Sequence, residues 1–215
     1  DLTFHLSPDA WLEKMSCSGS GAGSFNAPFQ EQLFNSNSVL SGQVLQTHDG
    51  TETFILPKPE YLYALKDGPA SVGLTNFLQD EDGTVRRFYL RMFDDGKKPD
   101  TAFAPLLVEK AGFSHGFSGI TQIGYVGPPG TIPRVSFIDL LSDGPAYEKA
   151  LAQLNGKIVI LCLEEGGFSD LHQTPYSDGF LSDSVNLMSG GEVHANIIET
   201  MISNRSPVPL YGGFR

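Results

Sequence analysis

A strand-like run, a long polar loop and a helix-like pattern follow one another in residues 155–204, and this segment constrains the fold most. Asn155 and Gly156 form a polar turn, and residues 158–163 (IVILCL) are apolar throughout. Such a run between turn residues predicts a strand buried on both faces, as in parallel sheets. Apolar residues at helical spacing over residues 192–203 predict a helix. The loop between them is predicted to lie at the sheet edge, where ligands often bind.

The rest of the chain alternates between predicted helices and strands. The spacing predicts helices over residues 7–15, 29–34, 101–111 (with Asp100 as the cap) and 147–154, and strands over 39–47, 53–56 and 120–126. Residues 16–24 are rich in Gly and Ser and predict a flexible loop. This alternation predicts an α/β fold with a mixed, mainly parallel sheet, helices on its faces and an antiparallel hairpin. A length of 215 residues predicts one domain.

The antiparallel hairpin is predicted over residues 72–93. Asp82 and Gly83 supply residues that tolerate a positive φ in its turn. Strand alternation then places Arg86 and Arg87 on opposite faces, and at least one of them is predicted to pair with a nearby Asp and hold the turn. The stretch from Asp80 resembles the start of a calcium-binding loop, but Arg stands where such a loop needs its last acid, so a solvated turn is the better interpretation.

Charge and hydropathy exclude some partners. The formal net charge is −11, with 14 Lys and Arg against 25 Asp and Glu. Nucleic acids and anionic membrane surfaces bind clustered cations, so neither is predicted as a partner. No stretch of eighteen apolar residues is present, so no membrane span is predicted within the sequence.

Three ordered blocks resemble one known family. They are GLTNFLQDEDGTVRRFYL at residues 73–90, IGYVGPPGTIPRVSFIDLL at 123–141, and the C-terminal series GKIVIL, FSDLHQTPYS and GGEVHANIIETMI within 156–202. Together they resemble the CHASE2 domain, an extracytoplasmic sensor module of bacterial membrane receptors. Residues 70–204 match well and residues 1–60 weakly. Because the first residues look like the end of a later family strand, the resemblance implies that an N-terminal portion of the family domain is missing from this chain.

The resemblance implies a receptor function without catalysis in this region. It predicts an extracytoplasmic, periplasmic or extracellular domain of a membrane-embedded protein, which relays a signal through transmembrane helices to a cytoplasmic nucleotide cyclase or protein kinase. The implied partner is an unidentified small molecule or environmental signal. No cofactor is expected, and a homodimer is possible.

The candidate ligand-binding residues lie mainly in the long loop, which the fold prediction places at the sheet edge. They are Glu164, Asp170, His172, Asp178 and Asp183, together with Arg87 of the hairpin. His172 is predicted to be exposed. A second group is predicted to be structural, since its members fall in turns or on the apolar side of the last helix: Asp80, Asp82, Gly83, Arg86, Pro175, His194 and Asn196.

Two other functions stay open at this level. A periplasmic hydrolase could hold a metal ion with Asp170, His172 and Asp183, since carboxylates and imidazole are common ligands. A dimerisation module without any ligand is the other alternative. No nucleophile elbow, phosphate-binding glycine loop or cysteine-protease motif supports catalysis.

Overall fold

The computed structural model describes residues 15, 25–46, 49–93, 99–163, 170–177 and 186–207. The chain divides into two compact units, Asp1–Asn76 with Tyr89–Gly112 and Phe77–Phe88 with Phe113–Arg215. That both belong to one domain stays a prediction. Within the described residues, no helix has the length and apolar character needed to span a membrane. The helix predicted over 7–15, Met15 excepted, and the flexible loop over 16–24 lie outside these residues.

A three-stranded sheet forms the centre of the first unit. Strand β1 (Leu40–Gln46) pairs antiparallel with β2 (Glu52–Ile55) and parallel with β3 (Val72–Leu74). Gly50 has a φ of 81° in the turn between β1 and β2, so the predicted turn is confirmed. Three α-helices, α1 (Ala27–Asn35), α2 (Pro59–Leu62) and α3 (Phe103–Lys110), and one 3-10 helix (Gly68–Ser71) complete the described part of this unit.

The core of the first unit lies between α1, α2 and the start of β3. Leu33, Tyr61, Leu65 and Val72 are almost fully buried there. Burying side chains of this size contributes about 1.5–3 kcal/mol each, so this cluster stabilises the unit.

Helix α3 begins later than predicted, and its predicted cap is wrong. Ala102 occupies the N-cap position and makes no side-chain cap bond. The Asp100 carboxylate instead accepts hydrogen bonds from Arg91 Nη1 (3.0 Å) and Thr101 Oγ1 (3.0 Å). A charged donor within reach outcompeted the backbone amides for this acid.

The second unit contains two small sheets and three helices in its described part. The sheets are β4 (Leu78–Gln79), β5 (Val85–Tyr89) and β6 (Ile120–Gln122) in that order, and β7 (Leu171–His172) with β8 (Met188–Ser189). The helices are α4 (Phe137–Leu140), α5 (Pro145–Leu154) and α6 (Gly190–Ser203). The predicted helices over 29–34 and 147–154 are therefore confirmed, as α1 and α5.

A mixed α/β composition is confirmed, but a mainly parallel sheet is not. Strands β1 and β3 pair in parallel, whereas β1–β2, β4–β5 and β7–β8 are antiparallel. Small antiparallel sheets need only local connections, whereas a parallel sheet needs several crossovers.

The prediction of a buried strand over residues 158–163 is wrong. These residues form no strand. Val159, Leu161 and Leu163 are 49%, 54% and 54% exposed, so one face of the run is open. Burial on both faces needs a packed layer on each of them, and in the described part of the chain the face of Val159, Leu161 and Leu163 is left half exposed. Apolar composition alone could not reveal that.

Candidate functional site

The turn between β4 and β5 has the geometry that its sequence requires. The amide of Gly83 donates to the Asp80 carbonyl at 2.9 Å, and Gly83 has a φ of 79°. The Thr84 amide donates to Asp82 Oδ1 at 3.0 Å, which fixes the acid inside the turn. The predicted structural role of Asp82 and Gly83 is thus consistent with the geometry.

A bulge beside this turn brings two arginines to one aspartate. In the β4–β5 register, Leu78 faces Arg87 and Gln79 faces Val85, so Arg86 is an extra residue. Such an insertion breaks the alternation of side chains along a strand. Both guanidinium groups consequently reach Asp80, which overturns the prediction that Arg86 and Arg87 serve opposite faces.

The resulting ion cluster holds the turn. Arg86 donates to Asp80 Oδ2 at 2.9 Å and to Asp82 at 2.9 and 2.7 Å. Arg87 donates from Nε (3.1 Å) and Nη2 (2.5 Å) to Asp80 Oδ1. The predicted pairing of an arginine with a nearby Asp is confirmed. Charge-assisted bonds of this kind are the stronger class, and they fix the turn geometry.

The ion pairs shift the pKa values of Asp80, Asp82 and Arg86. Hydrogen bonds from Arg86 and then Arg87 lower the pKa of Asp80, and the bond from Arg86 lowers the pKa of Asp82 strongly. The same two carboxylates, Asp82 first, raise the pKa of Arg86. All of these groups are therefore charged at neutral pH.

An open groove lies beside this turn, with a volume of about 940 Å³. We call it the tip groove. Its lining comprises residues of the hairpin, of β6 and of the chain that follows α6: Asp80, Glu81, Asp82, Arg86, Arg87, Ile120, Thr121, Gln122, Ser206 and Pro207. Charged, polar and apolar groups thus meet in one open groove.

The described part of the long loop, residues 170–177, runs beside the hairpin. The Val85 amide donates to the Gln173 carbonyl at 2.8 Å, and Thr84 forms a parallel bridge with Gln173. Pro175 is exposed in the turn of residues 174–177, where the Ser177 amide donates to the Thr174 carbonyl at 2.9 Å. Proline fits this position because its φ is preset for the turn.

Asp170 and His172 are brought together by β7. His172 Nε2 lies 2.8 Å from Asp170 Oδ1, and this bond lowers the pKa of Asp170. The His172 side chain is only 17% exposed, so the prediction of an exposed histidine is wrong. The ring of Phe77 covers it, with a centroid distance of 4.5 Å. An aromatic edge contact and an acid together hold the imidazole in place.

The same phenylalanine contacts His194 on α6. The ring centroids of Phe77 and His194 are 4.4 Å apart, and His194 is 7% exposed. This burial is consistent with the structural role predicted for His194. Phe77 therefore lies between two imidazoles, which joins β7 to α6.

Helix α6 carries a polar stripe that binds the chain after β6. Glu192, Asn196 and Thr200 are four residues apart and buried. Asn196 Oδ1 accepts from the Val126 amide (3.0 Å), and Thr200 Oγ1 accepts from the Gly124 amide (2.9 Å). The structural role predicted for Asn196 agrees with this geometry, whereas sequence reasoning missed Glu192 and Thr200.

Glu192 forms the most constrained end of this stripe. Its carboxylate accepts from the Gly130 amide (2.9 Å to each oxygen), from the Ile132 amide (3.2 Å) and from Arg134. Burial raises the pKa of Glu192, but the donated bonds and the Arg134 charge outweigh it, so its pKa is lowered. Ser189 caps α6 as in a capping box, its Oγ accepting from the Glu192 amide at 3.4 Å, while the Glu192 carboxylate binds the loop.

Three predicted ligand-binding residues lie outside the described residues: Glu164, Asp178 and Asp183. The hydrolase alternative needs Asp183 and stays untested. In the described ranges, no group of three or more His, Cys, Asp or Glu side chains is placed to hold a metal ion. Arg87 lines the tip groove, whereas Asp170 and His172 bind each other.

Comparison with known proteins identifies the family. No curated protein and no solved structure gave a significant match. One family model, described as the CHASE2 domain, matches residues 7–211, which is nearly the whole sequence. CHASE2 domains are extracytoplasmic sensor modules and are not themselves catalytic. The chain belongs to the CHASE2 domain family.

Proposed function

We propose that this chain is the signal-sensing domain of a membrane-bound bacterial receptor, and that it relays its signal through transmembrane helices to a cytoplasmic nucleotide cyclase or protein kinase. The family match over residues 7–211 carries this proposal. A ligand that binds one of two conformations better shifts their populations, and connected helices pass that shift on. The ligand region comprises the long loop over 164–188 and Arg87.

The location is tested with the full-length receptor in intact cells. Lys149 is exposed on α5, so Lys149→Cys offers a labelling position in the second unit. A membrane-impermeant maleimide should label this variant in intact cells more than the unsubstituted protein, whose own cysteines set the background. Labelling that requires permeabilised cells contradicts an extracytoplasmic domain.

The relay is tested by output activity in membranes that contain the full-length receptor. Ser206 Oγ donates to the Gln122 carbonyl at 2.9 Å and ties the residues after α6 to β6. Ser206→Ala should change the cyclase or kinase activity, because it loosens the connection that follows the last described helix. Glu109→Gln, an exposed change in the first unit, is the matched control. Equal activity in all three proteins contradicts the relay.

A dimerisation module is the second candidate, favoured by the apolar surface of α4 and α5. Ile138 and Leu141 are 65% and 67% exposed, and Leu151 is 49% exposed. Clustered exposed apolar side chains mark association surfaces. Sedimentation of the wild type and Leu141→Lys over a concentration series tests this, and a wild type that stays monomeric throughout contradicts it.

A further inference from the structure

We propose that the tip groove binds a small zwitterion of the apolar amino acid class, with the ligand carboxylate on Arg87 and its ammonium on Glu81, and that residues 205–207 register its presence. We call these residues the exit segment. The inference rests on the proposed sensing function, specifies its ligand, and places that ligand at Arg87 and the rest of the tip groove rather than on the long loop. It begins with the groups of the groove that the ion cluster leaves available.

One guanidinium nitrogen in the groove, Nη1 of Arg87, is available to a ligand. Arg86 places both terminal nitrogens on Asp80 and Asp82, so its donors face protein acids. Arg87 uses Nε and Nη2 on Asp80, and within the described residues its Nη1 has no partner. The Arg87 side chain is 43% exposed, so this nitrogen can receive a carboxylate from solution.

One anionic group without a partner among the described residues also lines the groove. Glu81 is exposed between Asp80 and Asp82, and its carboxylate has no partner among the described residues. A simple anion at Arg87 would meet the field of these three acids, and a simple cation at Glu81 would meet that of two arginines. A molecule that carries both charges satisfies both sides at once, which favours a zwitterion.

Strand β6 and the exit segment supply apolar and neutral polar contacts. Ile120 is 60% exposed at the start of β6, and Pro207 also lines the groove. An aliphatic or aromatic ligand side chain would bury these surfaces, at about 25 cal/mol per Å². Thr121 and Gln122 have side chains without partners in the described part of the chain, so they can fix the ligand by hydrogen bonds.

Hydrogen bonds hold the exit segment next to residues that line the tip groove. Ser206 donates to the Gln122 carbonyl, and the Arg205 amide donates to the Thr200 carbonyl at 3.1 Å. A Cβ on Gly124 would lie 2.2 Å from the Arg205 carbonyl oxygen, so only glycine permits this approach. A ligand at Gln122 therefore contacts the chain that leaves α6.

Binding is tested by titration calorimetry of the purified chain with leucine, phenylalanine and methionine. At least one should bind with a Kd of roughly 1 mM or below. Its N-acetyl derivative lacks the ammonium and its amide lacks the carboxylate, so each should bind about tenfold more weakly or worse. Glu81→Gln and Arg87→Gln should weaken the parent amino acid likewise, whereas Glu109→Gln should not. Circular dichroism establishes that each variant is folded.

Coupling is tested by hydrogen exchange of the peptide that contains Arg205 and Ser206. The amino acid that binds should slow exchange there in the wild type and not in Glu81→Gln. If none of the three binds folded wild-type protein, or if a blocked derivative binds equally well, the zwitterion class is overturned. If binding leaves exchange unchanged, the exit segment is not the reporter. Impermeant labelling and the Ser206→Ala output assay then still decide the sensing function separately.

Discussion

Removal of the Glu192 carboxylate should destabilise the second unit far more than removal of a surface acid from the same helix. The carboxylate binds two loop amides, and a hydrogen bond to a charged group contributes about 1.5–3 kcal/mol. Gly130 is exposed, so water can replace part of what it loses, and the lower value applies. Glu192→Ala should therefore lower the free energy of unfolding by about 3 kcal/mol, or Tm by roughly 6–12 °C.

Urea unfolding measures this change, with Glu199→Ala as the matched control. Glu199 lies on the exposed side of α6, where such a change stays within about 0.5 kcal/mol. Glu192→Gln keeps one oxygen acceptor and loses the charge, so about 1–2 kcal/mol is expected. The reasoning is refuted if Glu192→Ala destabilises no more than Glu199→Ala.

The pH dependence provides a second check on the same residue. The folded-state pKa of Glu192 lies below its ordinary value of 4.5, so its contribution is fully present above 4.5. As the pH falls through the folded-state pKa, that contribution is lost. The difference in unfolding free energy between the wild type and Glu192→Gln should therefore shrink below pH 4.5. A difference that stays constant in that range contradicts the charge assignment.

Three further changes have defined outcomes. In an open helix, Gly191→Ala would stabilise by about 1 kcal/mol. Here the added Cβ would lie 2.4 Å from Cys162 Sγ. Thermal unfolding should therefore show a lower Tm, which Cys162→Ala in the same protein should largely restore. Asn204 has a φ of 53° at the end of α6, so Asn204→Gly should be neutral or stabilising and Asn204→Ala should cost about 1 kcal/mol in urea unfolding. Asp170→Asn should cost under about 1 kcal/mol at neutral pH, because its bond to His172 is partly exposed; since the pKa of Asp170 is lowered, the wild type should approach the variant as the pH falls below 3.8.

Local chemistry in the hairpin turn was predictable, but its bulge and its extent were not, because residues 72–74 of the predicted hairpin pair with β1 instead. The Asp82-Gly83 pair predicted the turn because Gly83 needs a positive φ. The extra residue at Arg86 depends on how β4 pairs with β5, which no single strand encodes. Alternation therefore separated two arginines that the structure places on one aspartate.

The polar stripe of α6 shows the same limit at longer range. Glu192, Asn196 and Thr200 have a helical spacing that is visible in the sequence. Their partners are backbone amides 60 to 76 residues away, from Ile132 to Gly124, and an amide carries no residue-specific signal. The family blocks predicted membership over most of the chain, whereas the exposure of residues 158–163 depends on neighbours that apolar composition cannot reveal.

The division of the chain into interleaved units governs the order in which it can fold during synthesis. The first unit has its complete sequence once residue 112 has been made, whereas the hairpin of residues 77–88 belongs to a unit that continues to residue 215. The Val85 amide finds its acceptor only when Gln173 has emerged. Until then Val85 and Phe88, which are buried in the folded protein, lack part of their final packing, although the first unit can already fold. A translational pause between residues 112 and 173 would prolong exactly the interval in which these two side chains are open to other chains.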